Sequence, residues 1–241
     1  MKISLCIPLF NEEKILADTM DAVKEYMDGR FGEDYEVIYM DDGSSDASLR
    51  ILEEKKDLHT RIVSYQPNRG KGYAVRMGML AAEGDTVIFT DCDLAYGLEI
   101  VGDFYDHMEK NPELSALIGS RSLHPEGYEG YTFTRKLLSK GYLKVISVYG
   151  GLGLSDSQGG IKAFRREVAH KVFSLATVDR FAFDLEIILL TRKLGGKIGE
   201  YPVKIINHRP STIHFFRDST RMLRDVRRIK KRVKHLKLEE K

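Results

Sequence analysis

The sequence predicts an α/β fold in which a mostly parallel sheet carries helices on both faces. Two observations predict it. Short apolar strand patterns alternate with helix-spaced patterns through the first half of the chain, and this alternation marks a parallel sheet with crossover helices. The 241 residues, 42% of them hydrophobic, suit one domain with a sizeable core and exclude disorder as the main state.

Taken in order, Ile3–Leu9 reads as a short apolar strand. In 11–28 the apolar residues Ile15, Leu16, Val23 and Met27 recur close to helical spacing. Tyr35–Met40 reads as the second strand. Residues 45–58 read as a helix that Ser44, Ser45 or Asp46 could cap. Residues 61–65 form the third strand and 72–82 the third helix; 86–90 and 98–110 are the fourth pair, and 114–119 the fifth strand. The second half is less regular. Residues 127–130 and the five-glycine stretch 150–160 read as loops, 133–148, 166–174 and 183–194 as helices, and 197–206 as a strand. No run of 18 apolar residues crosses a membrane. The amino-terminal stretch lacks a signal-peptide pattern, and Cys6 and Cys92 are too few for a disulfide framework. The expected setting is reduced and cytoplasmic.

Ligands on such sheets sit beyond the carboxyl ends of the strands. Acid gathers there. The first strand ends in Pro8-Leu9-Phe10-Asn11-Glu12, the second in Asp41-Asp42-Gly43-Ser44-Ser45-Asp46, and the fourth in Asp91-Cys92-Asp93. Singly, each is an ordinary turn or cap. Jointly they would repel one another, and a divalent cation or cationic donors would resolve the conflict. Residues i and i+2 of an extended segment face the same way, so Asp91 and Asp93 can share one Mg²⁺ with phosphate oxygens.

Pro8-x-x-Asn11-Glu12, Asp41-Asp42-Gly43-Ser44-x-Asp46, Asn68-x-Gly70-Lys71-Gly72 and Asp91-x-Asp93, in this order, resemble the family 2 inverting glycosyltransferases. Gly119-Ser120-Arg121, Arg135-Lys136-x-x-Ser139, Asp156-Ser157-Gln158-x-Gly160-x-Lys162 and Phe183-Asp184-x-Glu186 resemble the branch of dolichyl- and polyprenyl-phosphate mannose and glucose synthases. The resemblance spans about residues 3–212. It implies a GT-A nucleotide-sugar-binding fold, Rossmann-like, over 1–212, and transfer of one hexose from a nucleotide-sugar to a polyprenyl phosphate.

By that resemblance Pro8, Phe10, Glu12 and Asp42 hold the nucleoside, and Asp91 and Asp93 bind Mg²⁺ or Mn²⁺ on the diphosphate. The metal would offset charge on the departing nucleoside diphosphate. Lys71, in a glycine-rich turn before a helix, is a diphosphate contact. Arg121, Arg135 and Ser139 match the acceptor-phosphate site. Arg135 and Ser139, four apart, share a helix face, and a guanidinium fork suits phosphate. Gln158 belongs with the sugar or the metal-diphosphate region, and Arg209 resembles a loop arginine that contacts the diphosphate. A lipid phosphate is already anionic at neutral pH, so Asp184 would orient the sugar or a basic residue instead of acting as general base. Mannosyl-synthase relatives carry Gln two residues beyond the second Asp. Ala95 stands here, which turns the reading of the donor toward UDP-glucose or a related UDP-sugar and away from GDP-mannose, both of which stay open as donor types.

From residue 217 on, eleven Lys or Arg face four Asp or Glu, a net of +7, which leaves residues 1–216 at −5 within the chain's total of +2. Met222, Leu223, Val226, Ile229, Val233 and Leu236 recur at helical spacing between the basic residues. Residues 213–241 therefore read as a basic amphipathic helix, apolar face down on an anionic membrane, with Ile213, Phe215 and Phe216 joining the surface. Packing of that stripe on the protein's own core or on a second subunit is the alternative. The expected location is the cytoplasmic face of a membrane; nucleic acid is not an expected partner. Two other functions stay open: transfer to a soluble glycan or protein hydroxyl with a carboxylate as base, and non-catalytic nucleotide-sugar binding.

Overall fold

The protein is seen in a computed structural model that describes residues 1–129, 151, 153–180, 182–207 and 215–237. Seven strands form one sheet: β1 (Ile3–Leu9), β2 (Tyr35–Asp41), β3 (Thr60–Ser64), β4 (Thr86–Phe89), β5 (Ala116–Ser120), β6 (Lys162–Arg165) and β7 (Ile198–Pro202). The described helices are α1 (Leu16–Phe31), α2 (Ser48–Lys55), α3 (Lys71–Ala81), α4 (Glu99–Lys110), α5 (Arg166–Leu175), α6 (Phe183–Lys193) and α7 (Phe215–His235). The 133–148 helix expected from sequence lies outside the described residues.

Strand residues alternate between the two faces, as the pleat requires. Cys6, Ile38, Met40 and Phe89 pack with residues of α3, α5, α6 and α7, whereas Leu5, Ile7, Val37, Tyr39 and Ile88 pack with α1, α2 and α4. Burial on both faces explains why β1 and β2 read as near-continuous apolar runs.

The strand order is β3-β2-β1-β4-β6-β5-β7. The chain steps outward from β1 to β3, then returns to place β4 on the other side of β1, parallel to it. That reversal is a topological switch point, where a crevice opens beyond the strand ends. The β1–β4 ladder stops at Cys6 and Phe89, while β1 runs on beside β2 to Leu9 and Asp41. Pro8 thus lies past the last β4-paired residue of β1, and Asp91 lies two residues beyond the end of β4.

The strand β6 was not expected. It is antiparallel to both β4 and β5, and its four residues, Lys-Ala-Phe-Arg, carry a charge at each end that hides the strand pattern. The sheet is mostly parallel, with this one reversed strand between β4 and β5. The helix expected from residue 11 begins at Leu16: Asn11 sits at φ 56°, outside the helical region, and the amides of Asn11, Glu12 and Glu13 donate to Ser44 Oγ, Ser48 Oγ and Asp46 Oδ2. The strand expected over 197–206 ends at Pro202, and the chain then turns to the loop after β4, where Ile206 N donates to Ala95 O at 2.8 Å.

The carboxy-terminal helix α7 forms as expected, but the placement of its apolar stripe is corrected. Val226, Ile229 and Val233 are buried in the core beside α6, and Leu236 packs against it. These side chains are therefore not offered to lipid; the protein's own apolar surface covers them.

Candidate active site

The acidic clusters differ in how their charge is met. Asp41 accepts from Ser44 N and Ser64 Oγ. Asp46 accepts from Glu13 N and Ser48 N. Asp42 is saturated: Tyr65 Oη, Asn68 Nδ2, Arg69 N and Gly70 N all donate to it, at 2.8–3.2 Å. A carboxylate has about four lone-pair sites, so the Asp42 side chain is heavily bonded to the 65–70 loop. Backbone, side-chain amide and hydroxyl donors thus meet the carboxylates at the end of β2. Gly43 makes the packing possible, since a Cβ there would lie 2.7 Å from Asn68 N.

Asp91 and Asp93 stand at the switch point. Lys71, the first residue of α3, bonds Asp91 Oδ1. Burial disfavours its charge, but the Asp91 and Asp184 carboxylates outweigh that and hold the ammonium above its ordinary pKa. Asp93 Oδ1 accepts from Ala95 N at 3.1 Å. Between them Leu94 sits at φ 48°, a left-handed conformation rare for a bulky side chain. Gly160 faces the other side of Asp91: a Cβ there would lie 2.3 Å from Asp91 Oδ2. Tyr96 Oη accepts from Gly160 N at 3.0 Å and holds that close approach. Burial pushes the Tyr96 phenol up to about 12, so it stays protonated.

No group of three or more His, Cys, Asp or Glu side chains among the described residues could hold a metal alone. Two carboxylates on one turn nevertheless fit an ion such as Mg²⁺ or Mn²⁺, which takes its remaining oxygens from phosphates and water. Gly160, which lacks a Cβ, lets the Asp91 carboxylate lie against its backbone.

Two further ion pairs line this edge. Arg121, just past β5, donates through Nε and Nη2 to Asp156, at 2.7 and 3.1 Å, and Asp156 is fully buried. Lys162, fully buried on β6, donates to Asp184 and, at 2.7 Å, to Gly159 O. Burial raises the Asp184 carboxyl above the usual range, with Lys162 and Lys71 pulling it down. Asp184 therefore holds a basic residue, one of the two roles expected of it. Thr90 Oγ1, Ser157 Oγ and Gln158 Nε2 are buried and lack a partner among the described residues; such atoms beside a crevice suit a polar ligand or water.

Of the expected site residues, the structure brings Lys71, Asp91 and Asp184 together and places Asp93 on the same turn as Asp91. Pro8 and Glu12 border the crevice at the end of β1, and Phe10 is 45% exposed there. Arg135, Ser139 and Arg209 lie outside the described residues. Asn207, two positions before Arg209, donates to Leu94 O at 3.0 Å. Sequence reasoning quoted Lys162 in a motif without giving it a role, and it did not single out Tyr96 or Glu200, which accepts from Ser155 N and Oγ. A charged residue inside an apolar strand segment was the available signal for Lys162.

The profile described as glycosyl transferase family 2 matches residues 4–173. The chain belongs to glycosyl transferase family 2. It is a glycosyltransferase, and its relatives place it in the polyprenyl-phosphate branch of that family. Dolichyl-phosphate beta-glucosyltransferase of Dictyostelium discoideum is 30% identical over 241 residues, covering 95% of this chain and 73% of that protein. The human dolichyl-phosphate beta-glucosyltransferase is 31% identical over 215 residues, covering 84% of this chain and 66% of that protein. The chain spans from 62% to 73% of the length of the curated relatives it matches. Among solved structures, glucosyl-3-phosphoglycerate synthase of Mycobacterium tuberculosis with Mn²⁺, UDP and phosphoglyceric acid superposes with a TM-score of 0.68. It shares 20% identity, covering 99% of this chain and 80% of that one. The same enzyme with Mn²⁺, UDP-glucose and glycerol 3-phosphate gives 0.69 at 19% identity. That likeness shows the GT-A fold. No described helix is long and apolar enough to cross a membrane.

Proposed function

We propose that this glycosyltransferase moves glucose from UDP-glucose to a polyprenyl phosphate by a single inverting displacement, at the surface of a membrane. The relatives' activity supports the acceptor and the sugar. The observation that carries the choice of acceptor is the commitment of the carboxylates at this edge. Asp42, Asp156 and Asp184 are each bonded to amides or cations, and Asp91 and Asp93 are the pair suited to a metal. Asp184, the candidate base, is tied to Lys162. A hydroxyl acceptor needs a base to take its proton; a phosphate, with a second pKa near 6, arrives anionic.

In this reading Pro8, Phe10 and Glu12 border the nucleoside and Asp42 shapes its wall through the 65–70 loop. Asp91 and Asp93 would hold Mg²⁺ or Mn²⁺, which supplies positive charge to the leaving diphosphate. Lys71 adds a second cation to the same side. Gln158, Ser157 and Thr90 offer polar atoms toward the sugar side. Asp156 fixes the Arg121 guanidinium by a two-point bond, which pre-orients it for the acceptor phosphate. By the resemblance, Arg135 and Ser139 would serve the same phosphate and Arg209 the diphosphate. Leu123 and Ile206, 49% and 51% exposed, follow β5 and β7 at the same edge and suit a lipid chain. The exposed residues Arg227, Arg228, Lys230, Lys234 and Lys237 of the tail would meet anionic headgroups, each worth about 1 kcal/mol near the surface. The enzyme would then sit peripherally on the cytoplasmic face.

The test is a panel of UDP- and GDP-sugars with Mg²⁺, Mn²⁺ or chelator and a short polyprenyl phosphate, read by mass spectrometry of the lipid fraction. The expected product is a hexosyl phospholipid from UDP-glucose, lost with chelator. Transfer only to hydroxyl acceptors, abolished by Asp184→Asn, would overturn the reading.

A further inference from the structure

Glu186 on α6 is fully buried, yet it lies in no part of the crevice described above. Its carboxylate gathers three segments. Oε2 accepts from Thr177 N and Val178 N, both at 2.8 Å, and Oε1 accepts from Thr177 Oγ1 at 3.0 Å. Oε1 also accepts from Arg232 Nη1 of α7 at 2.6 Å, while Arg232 Nη2 donates to Leu175 O, the last residue of α5, at 2.6 Å. One guanidinium of the tail helix thus closes the end of α5 and, through Glu186, pins the strap 176–179.

That strap is the seat of the donor-side turn. Tyr73 N donates to Asp179 O at 3.1 Å. Arg76 donates to Ala176 O at 3.1 Å and to Asp179 Oδ1 at 2.9 Å, and Arg69 reaches Asp179 Oδ2 at 3.3 Å. The fit is tight: a Cβ on Gly70 would lie 2.6 Å from Asp179 O, and one on Gly72 would lie 2.5 Å from Val178 O. Between those two glycines stands Lys71, bonded to Asp91. A continuous run of bonds and close contacts therefore leads from Arg232 through Glu186, Val178 and Asp179 to Lys71 and the metal-side carboxylate.

We infer that Arg232 is a positioning residue for the nucleotide-sugar site: the seating of the carboxy-terminal helix sets the strap, and the strap sets Lys71 against Asp91. The bond is specific in form, because two nitrogens of a planar fork serve two acceptors on different segments. A lysine replaces the two fork nitrogens by one ammonium, which cannot occupy both nitrogen positions at once. The tail helix then does more than cover the core. Whatever holds or loosens α7 changes the affinity of a pocket on the far side of the strap.

The inference rests on the donor reading of Asp91 and Lys71, and the experiment separates the two. UDP binding with Mn²⁺ is measured by calorimetry on the whole chain, without lipid, for wild type, Arg232→Gln, Arg232→Lys, Lys231→Gln, Lys71→Met and Asp91→Asn. Melting curves and amide exchange at 68–73 and 176–179 accompany each variant. Lys71→Met and Asp91→Asn should weaken UDP at least tenfold. Arg232→Gln should raise the UDP Kd and the donor KM about tenfold, with kcat at saturating donor within about twofold, and with faster exchange in both segments. Arg232→Lys should fall between, and Lys231→Gln, which removes the same charge one residue away, should match wild type. If Arg232→Gln does not fold, the lysine variant decides. Folded Arg232 variants with wild-type Kd, or a fall in kcat and melting temperature at unchanged donor KM, overturn the inference while the donor reading stands. Wild-type UDP affinity in Lys71→Met and Asp91→Asn overturns both.

Discussion

Replacing Gly160 by alanine adds one carbon beside the carboxylate that the proposed mechanism depends on most. The new Cβ would lie 2.3 Å from Asp91 Oδ2 and 3.4 Å from Tyr96 Cε2. The second distance is ordinary contact. The first is below the 3.0 Å that real Cβ atoms keep, so the Asp91 carboxylate must retreat by about 0.7 Å, or about 1.1 Å to reach ordinary contact at 3.4 Å. The backbone raises no objection, because Gly160 is not among the positive-φ glycines. Fold and stability should therefore survive, with a melting temperature within about 4 °C of wild type, the shift that roughly 1 kcal/mol gives a chain of this size. Activity should not. A misplacement of about 1 Å at a reacting site costs on the order of a hundredfold, or about 2.7 kcal/mol of barrier. The assay is donor kcat/KM at saturating acceptor, with UDP affinity in Mn²⁺ measured alongside. A folded Gly160→Ala enzyme within threefold of wild type in both would show that Asp91 does not need its present position.

Gly29→Ala is the converse case. Gly29 lies in α1 with nothing within 4 Å of the added carbon, so the change should stabilise by about 0.5–1 kcal/mol through the unfolded chain and the helix; an unaltered denaturant midpoint would contradict this. Lys162→Met strips the counter-ion from buried Asp184 and should cost about 3–5 kcal/mol. A loss under about 1 kcal/mol in urea unfolding would mean that the pair is not sealed from water. Lys71 gives a pH signature. Its folded pKa is raised above the ordinary 10.5, so the native state binds that proton more tightly than the unfolded chain. The contribution is complete below about pH 10.5 and is lost as pH rises through the raised value. The melting-temperature gap between wild type and Lys71→Met should thus hold steady from pH 8 to 10 and shrink above it; a gap indifferent to pH up to 12 would refute the pairing.

Much of the site was legible before any geometry. The motif Asp91-x-Asp93 was placed at the end of a fourth strand, and it stands there. The sequence puts Lys71 in a glycine-rich turn just before a helix, and α3 begins with it. The cluster Asp41 to Asp46 misled in part. Its turn-and-cap chemistry is what the structure uses, but the bonds also run across to the β1 loop and into the 65–70 loop, partners that lie 22 to 34 residues away in sequence. Nothing in a local pattern names such partners.

The amino-acid sequence by itself determined the alternation of strands and helices, and with it the edge where the chemistry must lie. Apolar spacing is a property of near neighbours, and near neighbours decide local conformation. Only the tertiary structure decided which charges meet. Arg121 finds Asp156 across 35 residues, Lys162 finds Asp184 across 22, and Arg232 finds Glu186 across 46. It also decided that Val226, Ile229 and Val233 face the core. An amphipathic stripe states that a helix must bury one side; whether lipid, a partner or its own domain covers that side depends on which surfaces the fold leaves bare. Here α6 and its neighbours offered an apolar surface, and the helix took it.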